Sequence, residues 1–374
     1  MPRLNLLWPK GNGDRGSVAT IVAVLLAGGV LLGMAAFVVD VGNLFTEREE
    51  LLSGADSAAQ TLALDCSRRG GLCGTADLTR AGTAANGNAK DGLSNVDLIC
   101  GSESGGRLIG CPAPGANDYT ACLGNPPTNG VNWVEVHTST KVSGGGTVLP
   151  PVFAQTVVPG YSGSTVRACS RVAWGPATGG LAITISSCEW SRYTGNGTSY
   201  AAKPPYPTYP ATSFEHKVLL HDPHASDNGC GAGPSGWDAP GGFGWTDDDS
   251  NCLTTILAGT YGGNTGNNFP QECQQVLSDD RQNQTVVLVP IYDNVKGQGN
   301  NNTTYTGGDS AGFVITGYSL GSVKKPSNVP GSTLTCAANQ SCVLGFFVGP
   351  LQQSTGSMPG TGANYGVTVL KTIG

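Results

Sequence analysis

Three of the four histidines in the chain lie within nine residues and could together hold a metal ion. The cluster consists of His216, His221, His224 and the carboxylates Asp222 and Asp227. Imidazole and carboxylate groups bind zinc, which can activate a water molecule for hydrolysis. The pattern lacks the His-Glu-x2-His spacing, and Pro223 would break a helix that aligned these side chains. We therefore favour a solvated loop over the alternative, a zinc site of a secreted hydrolase.

Three consecutive carboxylates, Asp247 to Asp249, form a second candidate site. A calcium loop needs alternating acidic positions, a glycine and a more distant glutamate, and this pattern is missing here. The run is better explained as a charged turn before Cys252. The phosphate-binding Gly-x4-Gly-Lys-Ser/Thr motif and the Asp-x-Ser-x-Ser metal-adhesion motif are also absent from the sequence. We therefore predict that the protein is not an enzyme and has no cofactor, metal or small-molecule substrate.

The cysteines form the strongest chemical pattern in the sequence. All 12 follow residue 65, and an even number of cysteines in one part of a chain predicts a disulfide framework in an oxidising compartment. Zinc is the less favoured alternative, because no Cys-x2-Cys pair exists. The sequence leaves the pairing open among Cys66, Cys73, Cys100, Cys111, Cys122, Cys169, Cys188, Cys230, Cys252, Cys273, Cys336 and Cys342.

An apolar segment near the amino terminus predicts the compartment of these cysteines. Val18 to Val39 is a run of 22 residues without a charge. As a helix it would be about 33 Å long and would match a hydrocarbon core of about 30 Å. Arg3, Lys10 and Arg15 precede the run, whereas acidic residues dominate after it. The positive-inside rule then predicts a single-pass cell-membrane protein with a cytoplasmic amino terminus, residues 1–17, and an extracytoplasmic remainder.

A cleaved signal peptide is the competing interpretation, because small residues at Gly33 to Ala36 could precede a cleavage site. The apolar run is longer than a typical signal core, and a helical pattern continues after it. We therefore favour an uncleaved transmembrane helix at 18–39 that continues outward as a helix at 40–65. Gly54 is the predicted weak point of this long helix.

Two faces of the predicted helix could make contacts. Gly29 and Gly33 form Gly-x3-Gly, which would let a second membrane helix approach closely, although membrane helices are often rich in glycine. Beyond the membrane, an apolar stripe interrupted only by Arg48 could pair with a partner helix or, as we favour, pack on the protein's own sheets. The stripe consists of Val41, Leu44, Phe45, Leu52, Ala55, Ala59 and Leu62. Asp40 is expected to reach water at the helix end, the alternative being a specific contact.

Short strands dominate the remainder of the chain. Residues 66–132 have the composition of a loop-rich, disulfide-pinned segment with a short helix near residues 77–89. From residue 133 to 374, β-branched runs bounded by turn-forming residues predict a mainly antiparallel β region, and the fold class is therefore α+β. The runs are 133–142, 166–174, 181–186, 217–221, 285–292, 312–320, 343–348 and 366–371. A charged fraction of 12% and a net charge of −6 without a basic block exclude a typical nucleic-acid binder.

Six residues around the apolar segment form a pattern that resembles TadG-like proteins of the Flp (Tad) pilus-assembly systems. The family has an Arg-Gly entry, an apolar span ending in Val-Asp-x-Gly, an arginine on the emerging helix and an Ala-Asp-Ala-Ala-like tail. The matching positions are Arg15, Gly16, Asp40, Gly42, Arg48 and Asp56. Later runs, including 241–245 and 342–348, are similar to the extracytoplasmic part of actinobacterial members.

This resemblance implies a membrane-anchored, non-enzymatic component of pilus assembly whose partners are the membrane and other pilus-assembly proteins. It does not imply a processed prepilin, because Ile21 stands where a prepilin would carry glutamate. The alternative function is an anchored binding module for a glycan or protein. That alternative predicts one groove lined by exposed aromatic residues, namely Trp190, Tyr193, Trp237, Phe243 and Trp245.

Overall fold

A computed structural model describes the chain from residue 15 to its end with several gaps. The described residues are 15–67, 73, 78–113, 122–128, 130–206, 208–220, 230, 243–246, 251–256, 259–264, 271–296, 303–307, 309–338, 340–354 and 359–374. They form an α+β fold in which most neighbouring strands are antiparallel, as the sequence predicted.

The amino-terminal segment is helical but is not one helix. Helix α1 (Arg15–Ala27) and helix α2 (Val30–Ser67) are separated by two glycines. Gly29 has a φ of +70°, a left-handed conformation that glycine adopts without the steric cost of a Cβ. The interruption lies at these two glycines, whereas Gly54, the predicted weak point, lies inside α2. Within the described parts of the chain, no single helix is both long enough and apolar enough to cross a membrane.

A five-stranded sheet packs against α2. Its order is β1 (Asn95–Ser102), β2 (Asn132–Ser139), β3 (Arg167–Pro176), β17 (Val367–Thr372) and β16 (Leu351–Ser354). Only the β16–β17 pair is parallel in this sheet. Helix α3 (Leu78–Asn86) lies beside α2, within the segment where the sequence predicted a short helix. The carboxyl end of the chain thus completes the sheet that the amino-terminal helix covers.

A larger sheet contains ten strands. Nine follow in the order β11 (Asn294–Lys296), β12 (Thr303–Thr306), β9 (Thr260–Asn264), β7 (Phe243–Thr246), β5 (Ile183–Ser186), β10 (Val286–Tyr292), β13 (Ser310–Leu320), β15 (Cys342–Val348) and β6 (His216–Leu219). Strand β14 (Val323–Lys325) pairs with β13, and a separate ribbon joins β4 (Gly180–Leu181) to β8 (Leu253–Thr254). Each of the eight predicted runs overlaps a strand.

The sequence did not predict the helices between these strands. They are α4 (Ala154–Val157), α5 (Ser187–Thr194), α6 (Gln271–Asn283) and a 3-10 turn at Thr212–Phe214. Helix α5 begins at a typical N-cap residue, Ser186. Its hydroxyl accepts the backbone N–H of Glu189 at 3.1 Å, which is one of the two hydrogen bonds of a capping box. Helix α6 buries only a narrow stripe that includes Cys273 and Leu277, so its helical period is weak.

All twelve cysteines are paired, which confirms the predicted disulfide framework. The pairs are Cys66–Cys73, Cys100–Cys111, Cys122–Cys169, Cys188–Cys230, Cys252–Cys273 and Cys336–Cys342. The widest in sequence, Cys122–Cys169, joins residues 47 positions apart and ties the segment before β2 to β3. Pairing in disulfides rules out the zinc alternative for the two short-range pairs, Cys66–Cys73 and Cys336–Cys342.

Candidate functional site: the amino-terminal helical segment

The first half of the helical segment, residues 18–39, exposes nearly all of its large apolar side chains that are described. Their exposed fractions run from 42% to 69% at Val18, Ile21, Val22, Val24, Leu26, Val30, Met34, Phe37, Val38 and Val39. Single exposed apolar residues are common on soluble proteins, but a contiguous apolar surface of this kind marks an interaction site. Among the described residues, the first half is therefore the surface that most requires a partner.

The two glycines predicted to pack a neighbouring helix line a cleft along this surface. Gly29 and Gly33 face an open cleft of about 500 Å³ that also contains Val39 and, from the loop before α4, Phe153. A Cβ on Gly29 would meet no atom within 4 Å. The structure thus leaves this side of the glycines accessible, and partner packing at Gly29 and Gly33 stays a prediction.

The second half, residues 40–67, is buried against the protein itself. It contributes Ala58, Ala59, Leu62, Ala63 and Cys66 to a core shared with α3 and the five-stranded sheet. Because most of these residues are small, the helix can approach β2 and β3 closely. Intramolecular packing, the favoured prediction, is therefore what the structure shows. The predicted stripe was wrong at two positions, because Phe45 is 63% exposed and Leu52 is 37% exposed.

Asp40, at the junction of the two halves, makes a specific contact and does not simply reach water. Its carboxylate accepts the backbone N–H groups of Val152 at 2.7 Å, Phe153 at 3.1 Å, and Ala154. Only 8% of the residue is exposed. Burial alone would raise the pKa of this carboxyl, but the three N–H donors outweigh it and lower the pKa. Asp40 therefore holds the loop before α4 against the helix as a charged hydrogen-bond acceptor.

Asp56 makes another polar contact between α2 and the rest of the protein. Its carboxylate accepts a hydrogen bond from the hydroxyl of Ser170 on β3. Nearby, the Thr138 hydroxyl on β2 donates to the Leu51 carbonyl at 2.9 Å, and Arg80 on α3 pairs with Asp65 at 2.8 Å. These contacts fix the rotation of α2 on the sheet, which apolar packing of small residues alone specifies poorly.

The other resemblance positions lie elsewhere on the segment. Arg15 and Gly16 begin α1. Gly42 is exposed, and a Cβ there would meet no atom within 4 Å. Arg48 is exposed on α2, where it is accessible to a partner. The structure thus gives Asp40 and Asp56 intramolecular contacts and leaves Gly42 and Arg48 on the surface.

Sequence reasoning missed a buried polar cluster on the opposite face of the five-stranded sheet. Arg171 donates to Glu135 at 2.7 Å, and Glu135 lies 2.7 Å from the Nε2 atom of His137. Burial would raise the pKa of Glu135, but hydrogen bonds from His137 and Arg171 outweigh it and lower the pKa. These residues line a cleft of about 670 Å³ with Trp133, which the Arg171 guanidinium covers at 5.4 Å. The alternation of apolar and polar residues along β2 was the signal that could have identified this second face.

The same cluster approaches a metal-binding arrangement without the free ligands that it needs. Cys122, Glu135, His137 and Cys169 bring possible ligand atoms within 4.8 Å of one another. Cys122 and Cys169 form a disulfide, however, and a metal-binding cysteine must be a thiolate. Glu135 is already engaged by Arg171. The geometry is therefore that of a satisfied ion pair beside a disulfide.

The histidine and aspartate candidates lie mostly outside the described residues. His221, His224, Asp222, Asp227 and the 247–249 run all fall there. His216 begins β6 and stacks on Tyr193 with 4.0 Å between ring centroids. Burial, with a smaller effect of the Arg192 charge, lowers the pKa of His216 to about 4. His216 is therefore a neutral, packed ring near pH 7. Because His221 and His224 lie outside the described residues, neither the favoured solvated loop nor the alternative zinc site is tested.

The aromatic residues of the alternative binding module do not form one exposed groove among the described residues. Trp190 and Trp245 are buried, and Trp190 meets the Tyr365 ring edge-on at 4.9 Å between centroids. Tyr193 stacks on His216 and packs against the same core. Trp237 and the Phe243 side chain lie outside the described part. Trp190 and Trp245 are therefore residues of the hydrophobic core.

The sequence contains two Gly-x-Ser-x-Gly pentapeptides, at 308–312 and 317–321. A nucleophile elbow exposes its serine at a turn from a strand into a helix. Ser310 and Ser319 instead lie within β13, and both are buried. The Ser310 hydroxyl donates to the Gly179 carbonyl at 2.7 Å. Neither serine has the position of a catalytic nucleophile.

Comparison with known families identifies the helical segment. Residues 16–61 match the family model described as "Putative Flp pilus-assembly TadE/G-like". No curated protein and no solved structure matches the chain. The match contains most of α1 and α2, including Asp40, Gly42, Arg48 and Asp56, and it supports a role in Flp pilus assembly. Residues 16–61 of this chain are therefore similar to the putative Flp pilus-assembly TadE/G-like family.

Proposed function

We propose that this protein is a membrane-anchored component of Flp (Tad) pilus assembly whose sheets face outward from the cell membrane. The contrast within the helical segment carries the proposal. Residues 18–39 contain no charge and, among their described side chains, expose ten large apolar ones, whereas in residues 40–67 one side of the helix is buried, including Leu51, Ala59 and Leu62. Burying apolar surface stabilises by about 25 cal/mol per Å². A bilayer provides that burial for the first half, as the protein's own sheet does for the second.

The separation of α1 and α2 is compatible with this placement. The N–H of Gly28 donates to Val24 at 2.8 Å, and the N–H of Gly29 donates to Leu26 at 3.1 Å. Gly33 in turn donates to the carbonyl of Gly29 at 2.8 Å. Backbone N–H groups in a bilayer need such internal partners, and the glycines at this interruption keep them. We infer that α1 and the part of α2 up to Val39 together occupy the hydrocarbon core.

Membrane fractionation of the full chain with a carboxyl-terminal tag tests the anchor. We expect the protein in the alkali-resistant membrane fraction, with an intact mass that includes residues 1–39. The double variant Val24→Arg, Phe37→Arg should leave that fraction, because charge at a membrane centre is costly. The matched control is Leu78→Arg, Leu123→Arg, which adds the same charges at exposed apolar positions outside the first half. A mature mass that lacks residues 1–39, or unchanged fractionation of the Val24, Phe37 variant, would contradict the anchor.

Helix contacts with other pilus-assembly proteins are the second part of the proposal. Gly33 borders an accessible cleft, and Arg48 is exposed on the family-matched helix. We expect Gly33→Leu and Arg48→Glu to reduce recovery of co-expressed Tad-system membrane proteins. The Asp56–Ser170 contact and the disulfides should remain, so the folded domain should resist protease as before. Glu49→Lys, at the next exposed position, is the control, and equal recovery from all variants would contradict this role.

A further inference from the structure

The loop between β2 and β3 has an unusual composition for a segment on a protein surface. Between Lys141 and Arg167, residues 142–166 contain no charged side chain. Four large apolar residues in this loop are between 41% and 53% exposed, namely Val148, Val152, Phe153 and Val158. Surface loops usually carry polar residues, and a cluster of exposed apolar side chains marks an interaction surface. The loop therefore shares with the first half of the helical segment the absence of charge and the presence of exposed apolar side chains.

The loop also lies beside the first half of the helical segment. Asp40 holds the backbone of Val152, Phe153 and Ala154. Phe153 and Thr156 line the same cleft as Gly29, Gly33 and Val39. Gly33 precedes Asp40 by seven residues, a rise of about 10 Å along a helix. The loop thus extends beyond Asp40 along the apolar surface of α2.

Several backbone groups of the loop are paired within the loop itself. The N–H of Leu149 donates to Ser164 at 3.0 Å, and the N–H of Ser164 donates back to Leu149 at 3.3 Å. The N–H of Val142 donates to Gly146 at 2.9 Å, and that of Val158 donates to Ala154 at 2.7 Å. The carboxylate of Asp40 satisfies three further donors. Such pairing is what a backbone needs where water is scarce.

We propose that residues 142–166 form a collar that inserts Val152, Phe153 and Val158 into the outer headgroup–acyl boundary of the bilayer beside α2. The inference rests on the proposed membrane anchor. The absence of charge, the continuity with the exposed surface of residues 18–39 and the paired backbone favour phospholipid over a protein occupant. Apolar side chains of interfacial segments insert about 5–10 Å into this boundary. The collar would fix the distance and tilt of the five-stranded sheet relative to the membrane.

Site-specific photo-crosslinking tests the collar on the full-length protein. The photoreactive residue p-benzoylphenylalanine replaces Phe153, Phe37 or Leu78 in separate chains, each reconstituted in nanodiscs of phosphatidylcholine and phosphatidylglycerol. Phe153 and Leu78 are matched in exposure, at 46% and 48%. Leu78 begins α3, near the Arg80–Asp65 pair, and Asp65 lies about 37 Å beyond Asp40 along α2. The label at position 37 reports on the anchor alone.

By mass spectrometry, we expect lipid adducts at positions 37 and 153 and no lipid adduct at position 78. Adducts at 37 without adducts at 153 would overturn the collar and leave the anchor intact. Absence of adducts at both positions would contradict the anchor and the collar together. A crosslink from position 153 to a second polypeptide in place of lipid would also overturn the proposal, because the occupant would then be protein.

A second variant examines how the loop is held. Asp40→Asn keeps the size of the side chain but removes the charge that binds three N–H groups. With this change, we expect fewer lipid adducts at position 153 and an unchanged yield at position 37. Equal yields at position 153 with and without the Asp40 carboxylate would contradict its positioning role.

Discussion

Residues 18–39 expose ten large apolar side chains, whereas residues 40–67 bury mostly alanine, although the two halves adjoin on one helical segment. The more apolar half is therefore the less buried one. Apolar character alone does not decide which surface joins the protein core. What distinguishes the second half is small residues that permit close approach, together with the carboxylates of Asp40 and Asp56, which bind specific partners. One helical segment can thus carry an exposed apolar surface in its first half and, in its second half, a surface that packs on the protein's own sheet.

The largest expected effect compares leucines from the two halves. Leu62 is 1% exposed in the core, so Leu62→Ala should lower the free energy of unfolding by about 3 kcal/mol through lost burial and a cavity. Leu26 is 48% exposed, so Leu26→Ala should change the free energy of unfolding by no more than about 0.5 kcal/mol in detergent. Denaturant titration of the detergent-solubilised protein, followed by tryptophan fluorescence, measures both. Equal losses would mean that the halves do not differ in packing.

A pair of glycines on α2 provides the next comparison. A Cβ at Gly54 would lie 3.1 Å from the Ala85 carbonyl oxygen, whereas a Cβ at Gly42 would meet no atom within 4 Å. Gly54→Leu should therefore push α3 away and destabilise by about 1–3 kcal/mol. Gly42→Leu should cause no loss, and thermal unfolding of the two variants measures the difference. The contrast fails if Gly54→Leu is as well tolerated as Gly42→Leu.

The contact between Asp56 and Ser170 should have a smaller effect. A double-mutant cycle with Asp56→Ala and Ser170→Ala should give a coupling energy of about 1 kcal/mol, because the hydroxyl bonds a carboxylate. The exposed Glu49 supplies the control, and a cycle of Glu49→Ala with Ser170→Ala should show no coupling. Both cycles can be measured by denaturant unfolding. Coupling near zero for Asp56 would show that its contact with Ser170 does not help to orient α2.

The smallest effect is local and depends on pH. The pKa of Asp40 is lowered from 3.8, so its contribution to loop attachment is present above that pH and is lost as the pH falls through the folded value. Amide exchange in the peptide containing Phe153 and Ala154 should stay slow from neutral pH to about pH 5. Asp40→Asn should speed exchange throughout this range, while Asp279→Asn on the exposed side of α6 should not. Fast exchange in the unmodified chain at neutral pH would contradict the contact.

Much of the sheet structure was predictable because strand signals are local. Each predicted β run overlaps a strand, since β-branched residues between turn formers depend on near neighbours in sequence. Helix α6 escaped prediction because its buried stripe is narrow. The break at Gly28 and Gly29 was also missed, because glycine within an apolar run is compatible with either a helix or an interruption.

Part of the candidate site was predictable as well. The family positions around the apolar segment were recognisable from residue types and spacing. Their contacts were not, because Asp40 and Asp56 bind partners more than 100 residues away in the chain. The buried Glu135–Arg171 pair was missed for the same reason, since its two residues come from different strands.

By itself, the sequence determined that this chain has an uncharged apolar segment, an even set of cysteines beyond it, many short strands and a TadE/G-like pattern. These properties depend on composition and on spacing along the chain. Only the tertiary structure decided which cysteines pair, which side of α2 is buried and that Asp40 holds the loop at Val152 to Ala154. Those outcomes require distant segments to meet in space, and their geometry is set by the packing of the whole fold.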